Sequence, residues 1–282
     1  MIWSRGEEMK KKTISKFITY AVLAVMLVFV LLPIYLVASN AIKPTLLIQT
    51  KVPTVIFTPT LSHFEKIFSD GSITSYFFNS VIVASVTTAI SVVCGAMGAY
   101  GIVISRAKWS QRASNVILLG KLVPSIAVLI PFFSMLQKAH LHGSYVGPIL
   151  AHCSVNLPFV LWLMLGFMKD VPKELLESAK IDGARRMQAF WKIMFPMVKP
   201  ALGSAILLSM QYSWNELIFS LQLTSMDSYT LPVGISRYVG SVAVDWGKSS
   251  AAAVVTMIPV ILVGFAMQKY LVTGLTGGAV KG

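Results

Sequence analysis

Few residues in this chain have the type and placement to do chemistry. Trp214-Asn215-Glu216, with Gln211 one helical turn before Asn215, lies inside an otherwise apolar run. A carboxylate deep in such a run is costly unless it faces protein or water. Gln211, Asn215 and Glu216 are therefore candidates for a polar translocation path or a gate. The competing reading of Glu216 is an interhelical hydrogen bond, or a place beside an unwound stretch. Glu216 as a proton carrier would need a second buried acid to make a relay, and the sequence offers none. His152 and Asn156 are four residues apart in another apolar run. They could line a polar path, although such groups more often bond to a neighbouring helix. Gly247-Lys248-Ser249 has the ending of a phosphate-binding loop, but the earlier glycine such a loop requires is Val242. No nucleophile elbow or metal-binding helix motif appears, so neither catalytic residues nor metal ligands are expected. Cys94 and Cys153 lie in apolar stretches without metal or redox spacing and read as buried thiols.

The longest charged interruption between apolar segments is Glu174 to Pro200. Asp170 can cap a helix there, with Pro172 in the first turn. Leu175, Leu176 and Ala179 fall on one face of that helix. At Asp182-Gly183 the pattern breaks, glycine supplying a left-handed backbone and Asp182 a cap for a second helix. A second amphipathic run carries Ala184, Met187, Trp191 and Met194, with Phe190 beside them. The stretch reads as helix, glycine hinge, helix. Periodicity alone leaves open whether it meets lipid, another protein or only solvent.

Composition decides the class of protein. With 55% hydrophobic and 12% charged residues among 282, and a mean hydropathy of +0.72, the chain is an all-α integral membrane protein. The net charge of +13 does not point to nucleic acid, because lysine and arginine are not gathered into one basic domain.

Six spans are expected: Phe17–Ala38, Asn79–Ser105, Val116–Leu136, Val146–Met168, Ala201–Leu223 and Ala251–Tyr270. They form a six-helix transmembrane domain over 17–270, with a loop at 169–200, between a charged segment at 1–16 and a glycine-rich tail at 271–282. The first span is too long for a signal peptide and lacks a small-residue cleavage site after it; Met9 offers a second translation start. Gly95, Gly98 and Gly101 recur every three residues in the second span and suit close helix crossing. Lys121 reads as the end of a span, not a pore charge. With both termini on one side, only Lys43, Lys51, Lys66, Lys138, Arg237 and Lys248 of the 24 basic residues fall on the other. The basic majority assigns the termini and the charged loop to the cytoplasm.

Within that loop, Glu177-Ser178-Ala179, three residues, Gly183, nine residues, Ile193, one residue and Phe195-Pro196 resembles the cytoplasmic "EAA" loop of ABC importer permeases. Ser178 replaces the family's middle alanine and Phe195 its leucine, with every spacing kept. Leu32-Pro-Ile-Tyr35, Ser39 to Pro44, Trp214-Asn215-Glu216, Thr230 to Gly234 and Gly274 to Gly282 resemble the carbohydrate-importer permeases of the maltose-type branch, the tail being similar to its G-type subunit. The resemblance implies a coupling loop that docks on an ATPase through Glu177, Ser178, Ala179, Asp182, Gly183, Ile193 and Pro196. It also implies a second permease, two ATPase subunits that carry ATP-Mg, an extracytoplasmic sugar-binding protein, and a bacterial or archaeal plasma membrane. This chain itself would bind no cofactor. The rival class is a stand-alone secondary transporter or channel, which leaves the ordered loop unexplained; a membrane enzyme comes third, without a catalytic constellation.

Overall fold

The computed structural model describes residues 2–50, 52, 54–69, 71–105, 112, 115–117, 119–120, 123–238 and 244–276. Among them the chain is nearly all helix and has no strand; Gly143 and Thr224 form an isolated bridge. It divides into two compact units, Met1–Ser69 with Tyr238–Val255, and Asp70–Arg237 with Thr256–Gly282.

The first unit opens with α1, Ile2–Ile42. Its charged start continues into the apolar part without a break, since Glu and Lys at positions 7 to 12 favour helix as well as leucine does. Phe17 to Leu36 is exposed along its whole length, a face that only lipid or another apolar chain can cover. After Pro44 come the single turn α2, Thr45–Ile48, and α3, Ser62–Phe68. The end of α1 is tied down by Thr60 N–H donating to the Ile42 carbonyl at 2.8 Å and by His63 Nε2 at 2.9 Å from the Lys43 carbonyl. His63 lies flat on Gly247, where a Cβ would meet its ring at 2.1 Å.

The second unit is built on α4, Ser72–Ile104, followed by α5, Ser125–Lys138, and α6, Val146–Lys169. Helices α4 and α6 form the most extensive pair. At Gly95 a Cβ would stand 2.8 Å from Val160 Cγ1 and 3.1 Å from the Leu161 backbone nitrogen, and at Gly98 3.0 Å from Leu161 Cδ1. These two glycines let the helices touch backbone to side chain; Gly101 meets nothing within 4 Å and has no part in the crossing. Next come α7, Lys173–Ile181, the single turn α8, Arg186–Ala189, a π-helical turn at Phe190–Met194, and a last turn at Phe195–Met197. The chain bends by 82° into α9, Lys199–Asn215. Beyond it lie α10, Ile218–Leu223, α11, Leu231–Ser236, and α12, Trp246–Thr276, which runs through both units.

Among the described residues, four helices are long and apolar enough to cross a membrane, or five if the bent pair counts as one span. The expected fourth span is met within a residue by α6. The expected third begins in described helical residues at Val116, but 118, 121 and 122 lie outside the described set, Lys121 with them, and α5 supplies only its second half. Ala201–Leu223 is not one helix: the backbone becomes extended at Glu216, with φ −74° and ψ 124°, and resumes as α10. The sixth helix does not stop at Tyr270 but continues through Gly274 to Thr276; residues 277–282 of the tail lie outside the described set.

Candidate functional site

Two features stand out in the second unit, and the first is the charged loop. Helix α7 ends in two bonds that close a glycine-terminated helix: Gly183 N–H donates to the Lys180 carbonyl at 3.1 Å, and Ala184 N–H to that of Ala179 at 2.9 Å. Gly183 has φ +80°, as the glycine hinge requires, and open space where a Cβ would be. The two expected aspartate caps are not made. Asp170 terminates α6, its N–H donating to the Phe167 carbonyl at 3.3 Å, and Pro172 leads into α7 without a side-chain cap. Asp182 terminates α7, and the next helix begins only after Arg185, beyond the reach of a capping carboxylate. Gln188 acts instead, its Oε1 accepting the Arg185 N–H at 2.8 Å.

The loop presents Glu177, Ser178, Asp182, Gly183 and Pro196 outward, holds Ile193 half-buried and buries Ala179. Its apolar face matches the expected one at Ala179, Phe190 and Met194 and departs from it elsewhere. Ala189, Phe190 and Met194 are buried, whereas Leu175, Met187 and Trp191 are exposed. The π turn at Phe190–Met194 departs from the 3.6-residue period, so Met187 and Trp191 fall off the face that Phe190 and Met194 share. Phe190 is enclosed by aromatic rings, with Tyr100 of α4 at 5.2 Å, Trp191 at 4.8 Å and Phe195 at 5.9 Å between centroids. Tyr100 O–H also donates to the Arg186 carbonyl at 3.0 Å. Nothing local in the sequence marks Tyr100 as a partner of residues 86 positions away.

The second feature surrounds the break at Glu216. His152 of α6 is fully buried and Glu216 is 9% exposed. Their Nε2 and Oε2 atoms are 3.0 Å apart, and His152 Nδ1 is 2.7 Å from Ser213 Oγ on α9. A carboxylate only accepts, so Nε2 carries the proton that joins the pair. The same carboxylate accepts the N–H groups of Phe219 at 2.9 Å and Ser220 at 3.1 Å. It thereby satisfies the first turn of α10, where a negative group is favoured. One turn along α6, Asn156 Nδ2 donates to the Ser209 carbonyl at 3.3 Å. His152 and Asn156 thus bond to a neighbouring helix; polar Ser213 could have signalled the partner of His152, whereas Asn156 takes a backbone carbonyl that no side chain marks. Ser213, His152 and Glu216 stand in the order of a nucleophile, base and acid, but Ser213 is buried and closed to substrate.

Glu216 does not share a surface with the other two path candidates. Gln211 and Asn215 are exposed, and Asn215 Nδ2 donates to the Gln211 carbonyl at 2.8 Å. At the end of α4 away from Tyr100, Asn79 Nδ2 donates to the carbonyls of Asp227 and Tyr229, both at 3.0 Å, while Tyr145 O–H donates to Asn79 Oδ1 at 2.8 Å. Ser225 and Ser228 hydroxyls both donate to the Gly143 carbonyl, at 2.9 and 2.6 Å. This clasp and the charged loop therefore lie at opposite ends of the same helices. Among the described residues no group of three or more His, Cys, Asp or Glu could hold a metal ion.

Residues 91–277, which include both features, match the model of the binding-protein-dependent transport system inner membrane component family. The chain belongs to this family. The permease is 32% identical over 269 residues to the trehalose transport system permease protein SugB of Mycobacterium tuberculosis, covering 93% of this chain and 97% of that protein. It is 33% identical over 253 residues to the trehalose/maltose transport system permease protein MalG of Thermococcus litoralis, covering 88% and 89%. The fold is shared with a bacterial ABC transporter involved in import of the acidic polysaccharide alginate, at TM-score 0.78 and 21% identity over 91% of this chain and 96% of that one. The permease is a transport subunit of the inner membrane and not an enzyme; ATP hydrolysis in such importers belongs to a separate subunit.

Proposed function

We propose that this permease carries a sugar or oligosaccharide inward, using ATP-Mg bound by a partner ATPase. In this reading the chain crosses the membrane six times with both termini in the cytoplasm. Residues 169–200 form the coupling loop, with Glu177, Ser178, Asp182, Gly183 and Pro196 presented to the ATPase, and Ala179 and Ile193 facing the core. A second permease and an extracytoplasmic sugar-binding protein complete the importer, the latter meeting the end that carries the Asn79–Asp227 clasp. Gln211 and Asn215, polar and exposed within a span, face the translocation path, because lipid would not tolerate them.

The observation that carries the reading is the build of the loop. Its outer half is polar and ends on a left-handed glycine, and its inner half is set into the core shared by α4, α6 and α9 through Phe190 and Met194. A load taken up outside is delivered to the spans. The sugar assignment is supported by the names of the relatives, which specify trehalose, maltose and multiple sugars. The test is reconstitution of the permease with its partner permease, ATPase and binding protein in vesicles. Uptake of trehalose or maltose should require ATP and stop when the binding protein is omitted. Uptake that proceeds without either would instead describe a secondary transporter.

A further inference from the structure

Helices α6 and α9 meet along an antiparallel seam whose register is fixed by two polar rungs, His152 with Ser213 and Asn156 with Ser209. Further toward the loop lie Val160 and Met164 on α6 and Ala205 and Ala201 on α9. All four are fully buried, in the same core as Phe190, Met194 and Val198 of the charged loop. The seam thus runs without interruption from the loop to the break at Glu216, apolar at the loop end and hydrogen-bonded at the other. Helix α10 starts at the break with its first N–H groups on the Glu216 carboxylate. At its far end, Gly143 N–H donates to the Leu223 carbonyl at 3.1 Å, which binds α10 to the clasp.

We infer that His152 is a positioning residue for transport: by holding Glu216 to α6 it sets the angle at which α10 leaves α9, so that movement of the seam turns α10 and the clasp together. This rests on the proposed coupling role of the loop. The alternative for a buried polar pair is simple structural glue, whose removal would destabilise the permease without altering how it moves. The two differ in what happens at α10 when the ATPase changes state. The seam alone would still respond in a variant lacking the clip, but α10 would no longer move with it.

The experiment places a cysteine at Gln222, an exposed position of α10, in the complete importer lacking Cys94 and Cys153. The rate of its labelling by an impermeant maleimide is measured without nucleotide and with the ATPase trapped by ATP and vanadate. The otherwise unaltered importer should show different rates in the two states; equal rates there would refute the coupling reading itself. In His152→Gln the two rates should converge to within about twofold, and adding Glu216→Gln should bring no further change, since both substitutions undo one clip. ATP hydrolysis, carried out on another chain, should continue in each. Should His152→Gln fail to reach the membrane, Ser213→Ala removes only the hydroxyl on Nδ1, and a reduced difference is expected there. A full nucleotide-dependent difference in His152→Gln or Ser213→Ala would overturn the inference. So would additive effects in the double variant, or loss of all the variants from the membrane.

Discussion

At the scale of single residues, Gly183 separates two kinds of cost. Its φ of +80° is one that side chains rarely adopt, while nothing stands within 4 Å of where a Cβ would be. A substitution is therefore penalised by backbone conformation alone, about 1–2 kcal/mol for an ordinary side chain. A β-branched residue, stiff at its first torsion, fares worse than alanine. Because α7 and the π turn are each anchored separately, that cost falls on the angle between them and leaves the spans intact. Gly183→Val should reach the membrane in normal amount yet lose uptake and the ATPase activity stimulated by the binding protein, with Gly183→Ala intermediate. Equal uptake by Gly183→Val and the unaltered permease would rule the hinge out. Glu216 teaches the opposite lesson at this scale. Its cost in an apolar run was legible, and so were the competing readings that the structure matches, a bond to a neighbouring helix and a place beside an unwound stretch. The two N–H groups that the carboxylate satisfies were not, because the sequence does not show that the helix ends one residue earlier.

Among the elements, the α4–α6 crossing carries the clearest prediction. Gly95→Ala would bring a methyl group to 2.8 Å from Val160 Cγ1 and 3.1 Å from a backbone nitrogen that no rotamer change can move aside. The helices must separate, at about 1–3 kcal/mol for an overpacked site. Gly101→Ala meets nothing within 4 Å and gains helix propensity, so it should be neutral or stabilising by about 0.5–1 kcal/mol. The thermal midpoint of the detergent-solubilised complex should fall for the first and hold or rise for the second; a fall of equal size in both would show that the three-residue glycine repeat acts as a whole. From sequence the three glycines were equivalent, since which of them faces α6 is a matter of rotation that a repeat of small residues does not encode. The same limit applied in the charged loop. Its helix–glycine–helix order was legible from Pro172, Gly183 and the amphipathic runs. The buried face was legible in part: Ala179, Phe190 and Met194 are buried as expected, but Met187 and Trp191 are not, since one π turn departs from the period that places them. In α6 the bounds came from hydropathy within a residue, whereas α4 starts seven residues before the expected Asn79, because a helix continues past the apolar stretch that hydropathy marks.

At the largest scale, charge along the chain and the geometry of the second unit divide its helices in the same way. The ends of α4 and α6 that meet the charged loop are the ends expected in the cytoplasm, and their opposite ends hold the Asn79 clasp, with Lys138 and Arg237 in the flanking segments. A basic excess fixes sidedness through the cost of moving cations across the membrane, so it needs no knowledge of packing. What charge could not supply was the connection from one end to the other, which depends on side chains far apart in the chain, such as His152 with Glu216. Coupling as proposed requires residues 169–200 to be the surface that meets the ATPase. The most direct measurement is cross-linking in the assembled importer, using a single cysteine in place of Glu177 in a background lacking Cys94 and Cys153, with a short thiol-to-amine reagent. Ser62, in the polar segment after α1, provides the control position. Glu177→Cys should join the permease to the ATPase subunit and Ser62→Cys should not. A cross-link to the ATPase from Ser62→Cys, with none from Glu177→Cys, would contradict both the coupling loop and the sidedness on which it depends.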